Sequence, residues 1–131
     1  PECFIKLIPG ITSFSATAAQ SQFPLVCQGE QLLVLAVPES SLKLRDILSE
    51  AASNTRVVVL LKLGKKWKWV RPLLEELDLL ESCLFAERVG FADEKIVKAS
   101  ALASGIRPYF SMLLIRQSLK FKDFQLTNLT F

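Results

Sequence analysis

The residues best suited to chemistry fall in three short stretches. In PGITSFSATAAQ (residues 9–20) an apolar run ends at Pro9-Gly10, and Thr12, Ser13 and Ser15 then open a segment of small residues. Thr12 or Ser13 is well placed to cap the unpaired amides of the helix that follows, and the same amides accept a polar ligand. Capping accounts for one hydroxyl; the others, with Ala16, Ala18 and Ala19, let either a ligand or another backbone come close. In LLKLGKKWKW (60–69), Lys62 interrupts an apolar strand end, and Lys65, Lys66 and Lys68 gather where a helix begins, the end at which the helix dipole disfavours cations. That placement fits a nearby anion such as a carboxylate-rich ligand, and more commonly a solvated helix start, while Trp67 and Trp69 either pack on the domain or stack on nucleic-acid bases. In AERVGFADEKIV (86–97), Glu87 and Arg88 stand just before Gly90, where they pair with each other or line the same edge as Thr12 and Lys62.

Several chemistries are excluded by what the chain lacks. It has no histidine, which removes Ser-His and Cys-His nucleophilic machinery. Cys3, Cys27 and Cys83 lie far apart with no CxxC pair, so a zinc site is not expected and separate thiols in a reducing cytoplasm are. Neither GxGxxG nor GxxxxGK[ST] is present, and Gly64-Lys65 alone is no phosphate signature. A net charge of +3, with basic and acidic residues interspersed, does not call for a nucleic-acid partner. The longest apolar runs, Leu32 to Val37 and Val57 to Leu61, fall far short of the ~20 residues of a membrane span, so no membrane partner is expected.

These residues need elements to hold them. Five apolar runs read as strands: Cys3–Ile8, Leu32–Val37, Val57–Leu61, Cys83–Ala86 and Phe110–Ile115. They are continuous rather than alternating, as in strands covered on both faces. Helical spacing marks Ser15 to Gln22, Ser41 to Ala52, and about Lys66 to Leu80, the last containing Pro72, which is tolerated only if that helix starts near Trp69 and otherwise kinks it. Asp93–Lys98 fits a brief helix or a short strand, and Leu119–Phe131 fits a last strand or an apolar arm. Strands alternating with helices predict an α/β layered domain with a roughly five-stranded mixed sheet flanked by helices. Gly10, Gly64 and Gly90 each follow a strand at its carboxyl end, the edge where open α/β sheets bind ligands and also where glycine simply makes a turn.

The segments PGITSFSATAA, VVVLLKLGKKW, LFAERVGFADEKIV and PYFSMLLIRQ, in this order and spacing, resemble the C-terminal half of the tetrapyrrole methylases. Within that family TSFSA and PYFSMLLI are most similar to the precorrin-2 and cobalt-factor II C20-methyltransferases of cobalamin synthesis. The resemblance implies a two-domain enzyme, usually a homodimer, that holds S-adenosyl-L-methionine in a cleft between α/β domains. Residues 1–131 would be the single C-terminal domain, with an N-terminal domain of the same protein and a tetrapyrrole substrate as partners. It further implies cofactor contacts at Thr12 and Ser13, at Leu61, Lys62 and Leu63, and at Glu87, Arg88 and Val89 through main-chain groups. Lys62, Lys65, Lys66 and Arg88 become candidates for the substrate's carboxylates. No catalytic side chain or metal is implied.

Overall fold

Val57, Val58, Val59 and Leu60 are each exposed by 1% or less, because both faces of their strand are covered. The computed structural model describes residues 2–117. Its strands are Gln31–Ala36 (β1), Arg56–Leu61 (β2), Cys83–Glu87 (β3), Lys95–Lys98 (β4) and Ser111–Ile115 (β5). They form one sheet in the order β1-β2-β5-β3-β4, with β1 and β2 parallel and β5 antiparallel to both its neighbours. The carboxyl ends of β1, β2 and β3 therefore meet the amino ends of β4 and β5 at one edge.

The period-two alternation of the strands sorts the core into two layers. On one face Val58, Leu60, Phe85, Leu113 and Ile115 pack against the helices Ser41–Ser53 (α2) and Trp67–Glu76 (α3), through Leu44, Leu48, Trp67, Val70 and Leu74. On the other, Val57, Val59, Leu84, Ala86, Met112 and Leu114 pack against Ser13–Ser21 (α1), which contributes Ala18 and Phe14. A single short helix cannot cover a five-stranded face, so at edge strand β1 Leu32 and Val34 remain 36% exposed. The continuous apolar pattern thus marks two-sided burial in β2, β3 and β5, and only partial cover in β1.

Four of the expected strands are present to within a residue or so, and the open segment Asp93–Lys98 resolves as a turn followed by β4. Cys3–Ile8 is a correction: it is not a strand. Its composition suits one, but a strand needs a neighbour to bond, and no described strand pairs with it; Phe4 is 97% and Leu7 89% exposed. The first helix starts at Ser13 rather than Ser15, and Thr12, one of the two residues expected to cap it, is its N-cap. The third helix starts at Trp67, earlier than the position that Pro72 was expected to require. Pro72 has no N–H to offer the Lys68 carbonyl, and the Ser104 hydroxyl donates to that carbonyl instead at 3.3 Å. Residues 119–131 lie outside the described residues.

One polar cluster ties α1's trailing loop to the sheet. Arg116, at the end of β5, is 1% exposed. Its guanidinium pairs with the Glu30 carboxylate, donates to the Pro24 carbonyl, and lies 5.2 Å over the ring of Phe23. The Cys27 amide donates to the same carboxylate at 2.6 Å. Removing one partner of a buried pair strands the other charge without solvent, which costs about 3–5 kcal/mol. Arg116→Ala is therefore expected to lower the unfolding free energy by about that much in a urea titration, whereas Arg45→Ala, which breaks a surface pair with Glu76, changes it by no more than about 1 kcal/mol.

Cys83 is fully buried in β3, and burial pushes its thiol far above the reactive range, whereas Cys3 and Cys27 are exposed. A thiol-specific reagent is expected to titrate Cys3 and Cys27 in the folded protein and Cys83 only after unfolding; rapid native labelling of Cys83 would contradict this core.

Candidate functional site

The edge where the strand ends converge is held open by unusual backbone. Among the described residues five non-glycine residues have positive φ, and three of them, Gln22, Thr55 and Asp78, follow helices, where a left-handed residue ends the spiral. The other two are Lys62 (φ 58°) and Arg88 (φ 51°), each the first residue beyond its strand, β2 and β3 respectively. Both strands turn away from the sheet there while keeping a bond to the chain entering β5: the Leu63 amide donates to the Ser111 carbonyl at 3.0 Å, and the Arg88 amide to the Phe110 carbonyl at 2.9 Å. Non-glycine residues in this conformation carry strain that concentrates at functional sites.

Between these turns lies a hollow of about 330 Å³, lined by Ser13, Leu61, Lys62, Arg88, Val89, Phe91, Tyr109, Phe110, Ser111 and Met112. Its walls are mainly apolar with a few polar groups on the rim, the usual make-up of a small-molecule site. Arg88 is fixed in place by an ion pair with Asp93 at 2.7 Å and by stacking on Phe91 at 4.6 Å. The hydrogen bond from Arg88 holds the Asp93 carboxyl below its ordinary range.

The crowded hydroxyls divide into separate tasks. Thr12 caps α1, accepting from the Ser15 amide at 3.2 Å and donating to the Ser15 hydroxyl at 2.8 Å. Thr17 donates to the Ser13 carbonyl at 2.8 Å and Ser21 to the Thr17 carbonyl at 2.6 Å. Ser13 alone among Thr12, Ser13 and Ser15 has a hydroxyl with no hydrogen bond to the described residues, and it stands on the wall of the hollow.

A second hollow of about 460 Å³ adjoins the first and shares Lys62 and Tyr109 with it. Its lining also includes Ala36, Val37, Glu39, Leu63, Gly64, Lys65, Lys66, Ile106 and Arg107. Of the residues expected at a site, Ser13, Leu61, Lys62, Arg88 and Val89 meet at the first hollow, and Leu63, Lys65 and Lys66 at the second. Thr12 serves as the helix cap and lies outside both linings. Glu87 also lies outside both, and its 7%-exposed carboxylate takes a two-pronged bond from Arg107. Among the described residues no group of His, Cys, Asp or Glu is arranged to hold a metal ion.

Sequence reasoning missed Phe91, Tyr109, Phe110, Ser111 and Met112. The signal available for the last four was a run of aromatics directly before a strand, but only the strand order, with β5 between β2 and β3, brings that run beside Leu61 and Val89.

Comparison with known proteins adds the chemistry of relatives. The chain is 32% identical over 109 residues to the cobalamin biosynthesis protein CobIJ of Mycobacterium tuberculosis, covering 83% of this chain and 21% of that protein. It is 25% identical over 124 residues to the cobalt-precorrin-2 C(20)-methyltransferase of Salmonella typhimurium, covering 92% of this chain and 50% of the relative. The chain thus spans half or less of these curated relatives. The crystal structure of the methyltransferase CobJ matches the fold with a TM-score of 0.57 at 20% identity, over 87% of this chain and 52% of that one. Residues 1–103 match the family model described as Tetrapyrrole (Corrin/Porphyrin) Methylases, and the chain, with its mixed five-stranded sheet, belongs to that family.

Proposed function

We propose that this chain is the C-terminal domain of an S-adenosyl-L-methionine-dependent methyltransferase that acts at C20 of precorrin-2 or cobalt-factor II. The observation that carries the reading is the hollow formed by the ends of β2 and β3, the start of β5 and Ser13, in a chain whose family match covers Ser13, β2 and β3. Under this reading the N-terminal domain of the same protein closes the cleft, the enzyme works as a homodimer, and it resides in the cytoplasm.

The residues present suit the methyl donor. Leu61, Val89 and Met112 offer apolar walls for a flat heterocycle, main chain is close at both left-handed turns, and Ser13 has a hydroxyl to give. When bound, S-adenosyl-L-methionine supplies a methyl group on a sulfonium centre that is reactive without help from an acid, a base or a metal. The chain's own work is then to orient and to exclude water. The bonds of Leu63 and Arg88 to the chain entering β5 keep both turns at a fixed separation, and Phe91 and Phe110 add aromatic surface to the lining.

Two measurements test this. The protein carrying this chain, incubated with methyl-labelled S-adenosyl-L-methionine and precorrin-2 or cobalt-factor II, is expected to add one methyl at C20; transfer at another position moves the assignment to a different methylase of the family, and no transfer by folded protein rejects it. Thr12→Val is expected to cost about 1 kcal/mol of stability through the lost cap. Ser13→Ala is expected to leave stability within about 0.5 kcal/mol while weakening binding of S-adenosylhomocysteine severalfold, read by calorimetry. Unchanged affinity in Ser13→Ala would remove Ser13 from the cofactor site.

A further inference from the structure

The connection from β3 to β4, residues 88–94, is longer than the about two to five residues of most hairpin loops, so ladder bonds alone do not fix its shape. Side chains do. Arg88 and Gly90 both stand at positive φ, 51° and 89°, and the Glu94 carboxylate accepts from the Gly90 amide at 2.9 Å. Arg88 pairs with Asp93 at 2.7 Å, and the Phe91 amide closes the turn onto the Arg88 carbonyl at 3.0 Å. Folded in this way, the connection presents Arg88, Val89 and Phe91 to the first hollow, while α1 presents Ser13. The fit of a ligand there depends on the gap between α1 and the connection.

One face of α1 spans that gap. Ser13, Thr17 and Gln20 follow one another at steps of four and three residues, which puts them on a common side of the helix. Ser13 lines the hollow, and the Thr17 hydroxyl lies 3.7 Å from the sulfur of Met112, part of the same lining. Gln20 reaches the connection itself. Its side-chain amide matches donors to acceptors only with the nitrogen toward Glu94, and so turned that nitrogen stands 2.6 and 2.8 Å from the two carboxylate oxygens. Glu94 thus accepts from the Gly90 amide and from α1 at once. Both side chains are half-buried, where a hydrogen bond to a carboxylate keeps more of its strength than in open solvent.

We infer that Gln20 and Glu94 are positioning residues for the donor site: their bond sets the spacing between Ser13 and the wall made by Arg88, Val89 and Phe91, and with it the affinity of the hollow. This rests on the methylase reading for the ligand alone; the clasp joins the same two walls whatever fills them.

The test is a reciprocal swap. Gln20→Glu sets carboxylate against carboxylate, and Glu94→Ala removes the acceptor. Gln20→Glu combined with Glu94→Gln restores a donor and acceptor pair, keeps the net charge, and leaves an acceptor for the Gly90 amide. In the protein carrying this chain, S-adenosylhomocysteine affinity is read by calorimetry and hydrogen exchange over residues 88–94 by mass spectrometry. Each single change is expected to weaken binding about fivefold or more and to speed exchange about tenfold, and the swap to return both to within about twofold of wild type. Should Gln20→Glu not fold, Gln20→Ala removes the tie without repulsion and is expected to weaken binding about threefold. Unchanged affinity in folded single variants overturns the proposal, with or without faster exchange, and so does a swap no better than Gln20→Glu. If the wild type binds no S-adenosylhomocysteine, the methylase reading fails, and the clasp stands or falls on whether the swap restores slow exchange.

Discussion

The site depends on β5 pairing with β2 on one side and β3 on the other. A strand in that position must satisfy two ladders at once, and it does so with five consecutive buried residues, Ser111 to Ile115. Because β5 runs antiparallel to both neighbours, its first residue arrives where theirs end. Ser111 is the junction: its carbonyl takes the Leu63 amide, its hydroxyl takes the Gly64 amide, and that same hydroxyl holds the Pro108 carbonyl. This arrangement of the three strands sets the turn at Lys62, the turn at Arg88 and the aromatic loop at Tyr109 and Phe110 around one hollow.

The opposite end of β5 carries a matching constraint. Arg116 buries its charge against Glu30 and Pro24, which holds the loop after α1 to the sheet and so holds α1 on its face. The hydroxyls along α1 are spent mainly on the helix itself, with Thr17 also reaching the Met112 sulfur at 3.7 Å from below the hollow. Polar groups thus fix the position of the helix, apolar groups supply its binding energy to the sheet, and Ser13 is left facing the space between.

Periodicity made the layered α/β class, three helices and four strands legible, because those runs bury continuous apolar surface that only such elements can hide. It failed at Cys3–Ile8, where strand-like composition says nothing about whether a neighbouring edge exists. It was mute on β4, whose Ile96 and Val97 give too short a pattern. Lys62 and Arg88 were reachable because strand ends of an α/β sheet share an edge, whereas Leu61 and Val89 entered only through the family resemblance. Tyr109 and Phe110 were not, since their place depends on the order of strands, and order is set by long-range pairing rather than by local pattern. The role of Glu87 was hidden for the same reason: Arg107, its partner, lies twenty residues away in sequence.

The central claim is that the edge between β2, β3 and β5 is the ligand-binding face of this domain. Amide shift mapping by NMR on the chain titrated with S-adenosylhomocysteine tests it most directly. The account predicts that perturbations cluster at Ser13, Leu61, Lys62, Arg88, Val89 and Phe110 to Met112, and spare β4 and the outer face of α2. Shifts centred on those spared elements, or none at saturating ligand in the folded chain, would contradict it.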